Sequence, residues 1–281
     1  MTNFGVCMFP TDYAIQPVPL ARAAEERGFE SLFFPEHTHI PASRRSPWPG
    51  GPVLPKEYSH THDPFVALGA AAAVTTRLKL ATGICLVVER DPITLAKEVA
   101  SLDVISGGRV ILGIGAGWNA EEMENHGTPF KQRWKIVREK VLAMRAIWTQ
   151  DSAEFHGEFV NFDPIWAWPK PVQPGGPPIL LGAESKWAAG RVVDYCDGWM
   201  PIAVRGDASK GLAALREEAS RAGRPFESLN LTVFGVPPKE EHVARWIEQG
   251  FHRVVFALPP DAPAAVLPIL DRCAELARKL A

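Results

Sequence analysis

The sequence predicts an α/β fold, a single (β/α)8 TIM barrel spanning residues 1–281, with insertion loops after the second strand and after the fourth helix. Three observations carry this expectation. Short β-type runs alternate with helix-type runs eight times along the chain, the pattern of a closed parallel barrel. The joints repeat one grammar, a glycine just past a helix followed by an aromatic: Arg27-Gly28-Phe29, Gln249-Gly250-Phe251 and, more loosely, Asp197-Gly198-Trp199. The length of 281 residues suits one such barrel, whose usual size is about 250 residues, with two long connections added.

Strands are expected at 4–9, 31–34, 78–84, 110–114, 179–181, 198–201, 230–234 and 253–257, where apolar and β-branched residues cluster in short runs. Helices are expected between them at 17–27, 64–76, 92–106, 130–150, 185–195, 207–222, 239–249 and 261–280. Several open with Pro or Asp in the first turn, as in Asp63-Pro64 and Asp91-Pro92. The connection 35–63 is rich in Pro, His, Ser and Arg, and 151–178 contains a small hairpin at 154–160. Phe159, Phe162, Trp166 and Trp168 argue that this second loop packs instead of remaining disordered.

Composition narrows the function. With 46% hydrophobic residues the chain buries a large core, and a net charge of −2 without blocks of like charge points away from nucleic acid and from membrane surfaces. The N-terminus lacks the basic start and long apolar stretch of a secretory signal, and the longest apolar run, 67–74, falls far short of the roughly twenty residues a membrane span needs. A soluble cytoplasmic protein is expected. Cys7, Cys85, Cys196 and Cys273 show no C-x-x-C spacing and are expected as buried reduced thiols.

Chemistry should sit at the strand C-termini. The fourth strand runs into Gly113-Ile114-Gly115-Ala116-Gly117-Trp118-Asn119, where the glycines either turn the backbone and expose its amides or serve packing alone. A helix opening at Asn119-Ala120-Glu121-Glu122 would turn its first amides toward a polar or anionic cofactor. The dinucleotide fingerprint does not fit, because its third glycine comes one position early and Trp118 stands in its place. The second strand ends in Glu36-His37, a carboxylate and an imidazole suited to general acid–base work, or else a pair that anchors the loop. His37-Thr38-His39 and His60-Thr61-His62-Asp63 have metal-ligand spacing, yet the later strand ends offer only Glu184 as a further ligand, so no metal site is expected. Gly83, within a buried strand between Thr82 and Ile84, signals a bulge or a close ligand. Gly182-Ala183-Glu184-Ser185 forms a small-residue turn suited to a phosphate, unless Ser185 is an ordinary N-cap.

Taken together, Phe33-Phe34-Pro35-Glu36-His37, Leu80-Ala81-Thr82-Gly83, Asp91-Pro92 through Arg109, Gly113 through Trp118, Pro177 through Ala183 and Cys196-Asp197-Gly198-Trp199 resemble the bacterial luciferase-like monooxygenase superfamily, in particular its branch using the deazaflavin coenzyme F420. The resemblance covers most of residues 1–205. It implies a barrel that binds one flavin or deazaflavin at its C-terminal mouth, with a non-proline cis peptide near Thr82, Gly83 and Ile84 buttressing the ring. It also implies a cofactor-contacting or catalytic imidazole at His37, a phosphate loop at Gly182, Ala183, Glu184 and Ser185, and a homodimer. Ala183 departs from the second glycine of many relatives.

The expected cofactor contacts are therefore His37, Thr82, Gly83, Ile84, Gly113, Gly115, Gly117, Asn119 and 182–185. The expected activity is hydride transfer between F420 and a small organic substrate, with His37 supplying the proton and Glu36 orienting it or meeting the ring's polar edge. An FMN-dependent monooxygenase of the same superfamily and a non-catalytic flavin-binding barrel are the alternatives. Arg44, Arg45 and Lys56 either meet the coenzyme's acidic tail or belong to a solvated loop. Trp48, Trp118, Trp166 and Trp168 either wall an apolar substrate pocket or serve as core.

Overall fold

The computed structural model describes residues 2–203 and 208–281. Its elements run β1 (Asn3–Cys7), α1 (Pro17–Glu26), β2 (Ser31–Phe34), α2 (Pro64–Ala72), β3 (Lys79–Leu86), α3 (Pro92–Ser106), β4 (Val110–Gly115), α4 (Ala120–Asn125), α5 (Arg133–Thr149), β5 (Ala153–His156), β6 (Asn161–Ile165), β7 (Ile179–Leu181), α6 (Ala188–Tyr195), β8 (Gly198–Trp199), α7 (Ser209–Arg221), β9 (Asn230–Val236), α8 (Glu240–Glu248), β10 (Arg253–Ala257) and α9 (Pro263–Leu280). Eight parallel strands close in the order β1-β10-β9-β8-β7-β4-β3-β2, and β5 and β6 pair separately as an antiparallel hairpin.

The strands at 31–34, 179–181 and 253–257 stand where the sequence predicts them, because short runs buried on both faces leave little choice of ends. β4 runs one residue past its expected end, to Gly115, and two strands run two past theirs. β3 continues to Leu86 and β9 to Val236, each through a register shift, between Thr82 and Cys85 and opposite Val255–Phe256. The helix expected at 130–150 divides into a 3-10 turn, Phe130–Gln132, and α5. That expected at 185–195 opens only at Ala188, so Ser185 is not its N-cap. Of the helix expected at 207–222, Asp207 lies outside the described residues. Aspartates start two helices as expected: Asp63 Oδ1 accepts from the amides of Phe65 and Val66 at 2.9 and 3.0 Å, and Asp91 Oδ1 from Thr94 at 2.8 Å.

Inside the barrel, Cys7, Phe33, Ala81, Ile111, Leu180, Met200 and Val255 form one buried layer. A larger apolar shell joins strands to helices. The four cysteines are buried and free. At the strand N-termini, buried Arg253 donates to both oxygens of Glu30 at 2.7 and 2.8 Å, and Lys79 lies 2.8 Å from the same carboxylate. Fully buried Asp103 accepts from the amides of Val172 and Gln173 at 2.8 and 3.0 Å, tying the 151–178 loop under the barrel. Among the described residues, no helix is long and apolar enough to cross a membrane.

Candidate active site

The floor of the mouth is the β3 bulge. The peptide between Gly83 and Ile84 is cis, at the position the resemblance implies. Gly83 is glycine because Phe234 of β9 leans on it: a Cβ there would stand 2.5 Å from the ring. Thr82 Oγ1 donates to the Gly113 carbonyl at 2.7 Å. The Ile84 side chain fills the space over Gly115 and Gly182, where a Cβ on Gly182 would lie 2.6 Å from Ile84 Cγ2. Gly113 makes room for the Thr82 carbonyl and Met200. Gly113 and Gly115 thus serve close packing of the bulge, and of the three motif glycines only Gly117 has a left-handed backbone, φ +68°.

The first amides of α4 are not left open. Ala120 N donates to Ser46 Oγ at 3.1 Å, and Glu122 N to Asn119 Oδ1 at 3.4 Å. What α4 contributes is a carboxylate. Glu122 Oε2 lies 2.7 Å from His37 Nδ1, and its Oε1 accepts from the Thr38 amide at 3.1 Å. With Nδ1–H given to the carboxylate, Nε2 is the atom of His37 that can take or give a proton. The ring sits among aromatics, 5.1 Å from Tyr58 and 5.8 Å from Trp118 between centroids.

Glu36 is not the orienting partner the sequence suggests. Its buried carboxylate accepts from the Leu86 amide at 2.6 Å and from Arg90 Nε at 2.7 Å. Arg90 also reaches Glu98 at 2.9 Å and Asp63, so this guanidinium locks the end of β2 to β3 and to the start of α2. Nearby Glu89 is buried with neither carboxylate oxygen hydrogen-bonded. Burial first, then repulsion from Glu122 and Glu36, pushes it up to about 9, so it is a neutral acid at pH 7. His126 Nε2 stands 3.9 Å from it and 2.8 Å from Thr38 Oγ1.

The 35–63 loop wraps over this side of the mouth. Ser46 fastens it to α4, its amide donating to Glu121 Oε1 at 2.8 Å and its hydroxyl to Oε2. Burial works against ionised Glu121, but the Ser46 donors outweigh it and hold the carboxyl down at about 2. Trp48 packs on Tyr58 at 5.7 Å, and Arg44 lies over Trp118 at 5.8 Å. Arg45 pairs with Glu124 at 3.0 Å, and Lys56 covers the Tyr13 ring at 4.3 Å. Trp166 and Trp168 do not join Trp48 and Trp118: they are 86% and 58% exposed, and the Trp168 carbonyl accepts from Lys97 of α3.

Past β7, Gly182-Ala183-Glu184-Ser185 leads to a cavity of about 270 Å³ lined by Glu184, Ser185, Lys186, Trp199, Lys210 and Gly211. Trp199 Nε1 donates to the Ala183 carbonyl at 2.7 Å and shapes the loop. The Glu184 carboxylate accepts from the Ile202 amide at 2.5 Å. The four histidines of the two H-x-H pairs go separate ways: His37 to Glu122, His39 to Thr38 and Asn125, His60 to Asp12, and His62 to Gln16. Among the described residues, no group of three His, Cys, Asp or Glu side chains could hold a metal ion. Sequence reading missed Glu122, Arg90, Glu89, Lys186 and Lys210. Glu122 alone carried a signal, standing three residues after the cap at Asn119.

Comparison with known proteins agrees with this architecture. The family described as luciferase-like monooxygenase matches residues 13–243. An uncharacterized protein of Mycobacterium tuberculosis is 43% identical over 99% of both chains. The F420-dependent hydroxymycolic acid dehydrogenase of the same organism is 28% identical over 80% of this chain and 60% of that protein. The FMNH2-dependent dimethylsulfone monooxygenase of Pseudomonas putida is 29% identical over 66% of this chain and 51% of that protein. The crystal structure of the monooxygenase RslO1 from Streptomyces bottropensis superposes with a TM-score of 0.81 at 22% identity, covering 99% of this chain and 100% of that one.

Proposed function

The chain belongs to the luciferase-like monooxygenase family, and from that premise we propose that it is an F420-dependent oxidoreductase, moving a hydride between the deazaflavin and a small organic substrate. The observation that carries this reading is the His37–Glu122 pair, 2.7 Å apart at the mouth and walled by Tyr58 and Trp118. Hydride transfer to or from an organic substrate needs a matching proton, and an imidazole fixed by a buried carboxylate is built to carry one.

The residues present fit such a cofactor. Lys186, Lys210 and Ser185 around the 270 Å³ cavity offer positive charge and a hydroxyl to a phosphate beside Gly182 and Ala183. Thr82, Gly83 and Ile84 offer the backbone of the β3 bulge to the ring, with Gly113 and Gly115 letting β4 pack close against it and Gly117 turning the chain beyond β4. When bound, the deazaflavin supplies or accepts the hydride. His37 Nε2 gives or takes the proton at the substrate, and Glu122 holds the imidazole in one tautomer and stabilises its charged form. Glu36 acts through Arg90 as a structural strut under His37. Asn119 caps α4, keeping Glu122 in place, while Trp118 and Tyr58 keep water from the reacting atoms.

An FMN-dependent monooxygenase is the second reading, favoured by the flavin-dependent relative of Pseudomonas putida. Titration of the apoprotein with F420 and, separately, with FMN decides between them. Tight binding of F420 with weak binding of FMN supports the hydride-transfer reading, and preference for FMN or binding of neither overturns it. We take the protein to be a homodimer whose copies meet along α2 and α3, where Val66 and Ile105 are 73% and 68% exposed; a monomeric mass in sedimentation would refute this.

A further inference from the structure

We propose that Arg44 binds a carboxylate carried by the substrate, so that the substrate is a planar organic acid seated against Trp118 and Tyr58. The inference deepens the oxidoreductase reading and rests on it. It begins from a buried donor atom beside Trp118 that has no acceptor among the described residues, Arg44 Nη1. Arg44 lies over the Trp118 ring at 5.8 Å.

This guanidinium is not an incidental surface group. Arg44 holds a left-handed backbone, φ +49°, a conformation that costs a non-glycine residue and is kept only where the surroundings impose it. The next two residues explain what imposes it. Arg45 is spent on Glu124 and Glu121, and Ser46 on Glu121, so the loop is fastened to α4 on that side while Arg44 alone is turned to Trp118. The carboxylates nearby do not fill the gap: Glu121 is taken by Ser46, and Glu122 by His37 and the Thr38 amide. A buried guanidinium nitrogen lacking an acceptor is completed by an acceptor-only group that arrives with a ligand, and a carboxylate matches the planar fork of arginine. The aromatic faces of Trp118, Tyr58 and Trp48 suit a flat body behind that carboxylate. The lysine-lined cavity past β7 is the separate place for the cofactor's own phosphate.

The test is direct binding to coenzyme-loaded protein, followed by tryptophan fluorescence, with benzoate and its uncharged counterpart benzamide as probes. Benzoate is expected to bind at least about tenfold more tightly than benzamide, with Arg44→Gln abolishing that preference and Arg44→Lys restoring part of it. Equal binding of the two probes, or a preference that survives Arg44→Gln, overturns the inference. The same variants are titrated with F420 and with its tail-less chromophore. Arg44→Gln weakening F420 while sparing the chromophore would assign the guanidinium to the coenzyme tail, and overturns it too. Should the unmodified protein fail to bind F420, the coenzyme reading alone falls, and the benzoate preference is read on the apoprotein.

Discussion

At the bottom of the barrel Glu30 meets Arg253 and Lys79, and Asp103 meets the Val172 and Gln173 amides. At the top, Arg44 Nη1, Asn119 Nδ2 and both oxygens of Glu89 are buried with nothing to bond. Both ends spend charge, but the unpartnered buried atoms on acidic and basic side chains lie at the top, while those at the bottom belong to the neutral Ser31, Tyr195 and Gln249. An unpaired buried charge costs more than an unpaired hydroxyl or amide, so the top carries the costlier defects, at the end where barrel enzymes place their ligands. The glycines repeat the contrast. Gly107 at the C-terminus of α3, φ +70°, ends a helix, whereas Gly83, Gly115 and Gly182 let backbone and Ile84 close into the floor of the mouth.

The contrast breaks most sharply at His37. His37→Ala is expected to lower turnover per folded molecule by about 10²- to 10⁴-fold with coenzyme affinity little changed, and to lower stability because buried Glu122 loses its partner, checked by steady-state kinetics beside a coenzyme titration and chemical denaturation. Unchanged turnover would remove His37 from the mechanism. At the other end, Arg253→Met leaves partly buried Glu30 with only Lys79 and should cost about 1.5–3 kcal/mol in chemical denaturation, with activity per folded molecule retained.

Acidity sharpens the same comparison with opposite signs. Burial disfavours ionised Glu30, but the Arg253 and Lys79 charges prevail and hold it at about 2. Its contribution to stability is therefore full above the unfolded carboxylate range, near pH 4.3, and is lost as pH falls through about 2. Glu89 is held up at about 9, so the unfolded chain releases its proton first and stability declines as pH rises from about 4.3 toward 9. Glu89→Gln should flatten that decline, and a melting profile from pH 5 to 9 matching the unmodified protein would refute it. The smallest effect is expected for Ser46→Ala, about 1 kcal/mol, with the 35–63 loop becoming more open to protease as the hydroxyl's bonds to Glu121 Oε2 and the Ala120 amide are lost and only the amide bond to Oε1 remains.

Much of the fold was legible because barrel strands are short, apolar and buried on both faces. β2, β7 and β10 follow directly from such runs, and the two longer overruns, of β3 and β9, occur at bulges, where pairing across strands decides how far a strand goes. The site was legible residue by residue and misread in its pairs. His37 was visible as a strand-end imidazole, yet its partner, Glu122, lies 85 positions away. Glu36 was the nearer guess and the wrong one, since neighbouring residues on extended backbone project to opposite sides. So Glu36 turns to Arg90 while His37 turns to the mouth.

What the sequence by itself determined is the alternation that closes into a barrel, the end of that barrel where chemistry sits, and the small residues its floor requires, because periodicity and steric bulk are local properties. Only the tertiary structure decided which carboxylate serves the imidazole, which is consumed by a guanidinium and which stays protonated. Ionisation and hydrogen bonding depend on distance and burial, and closing the barrel brings together groups that the chain keeps far apart.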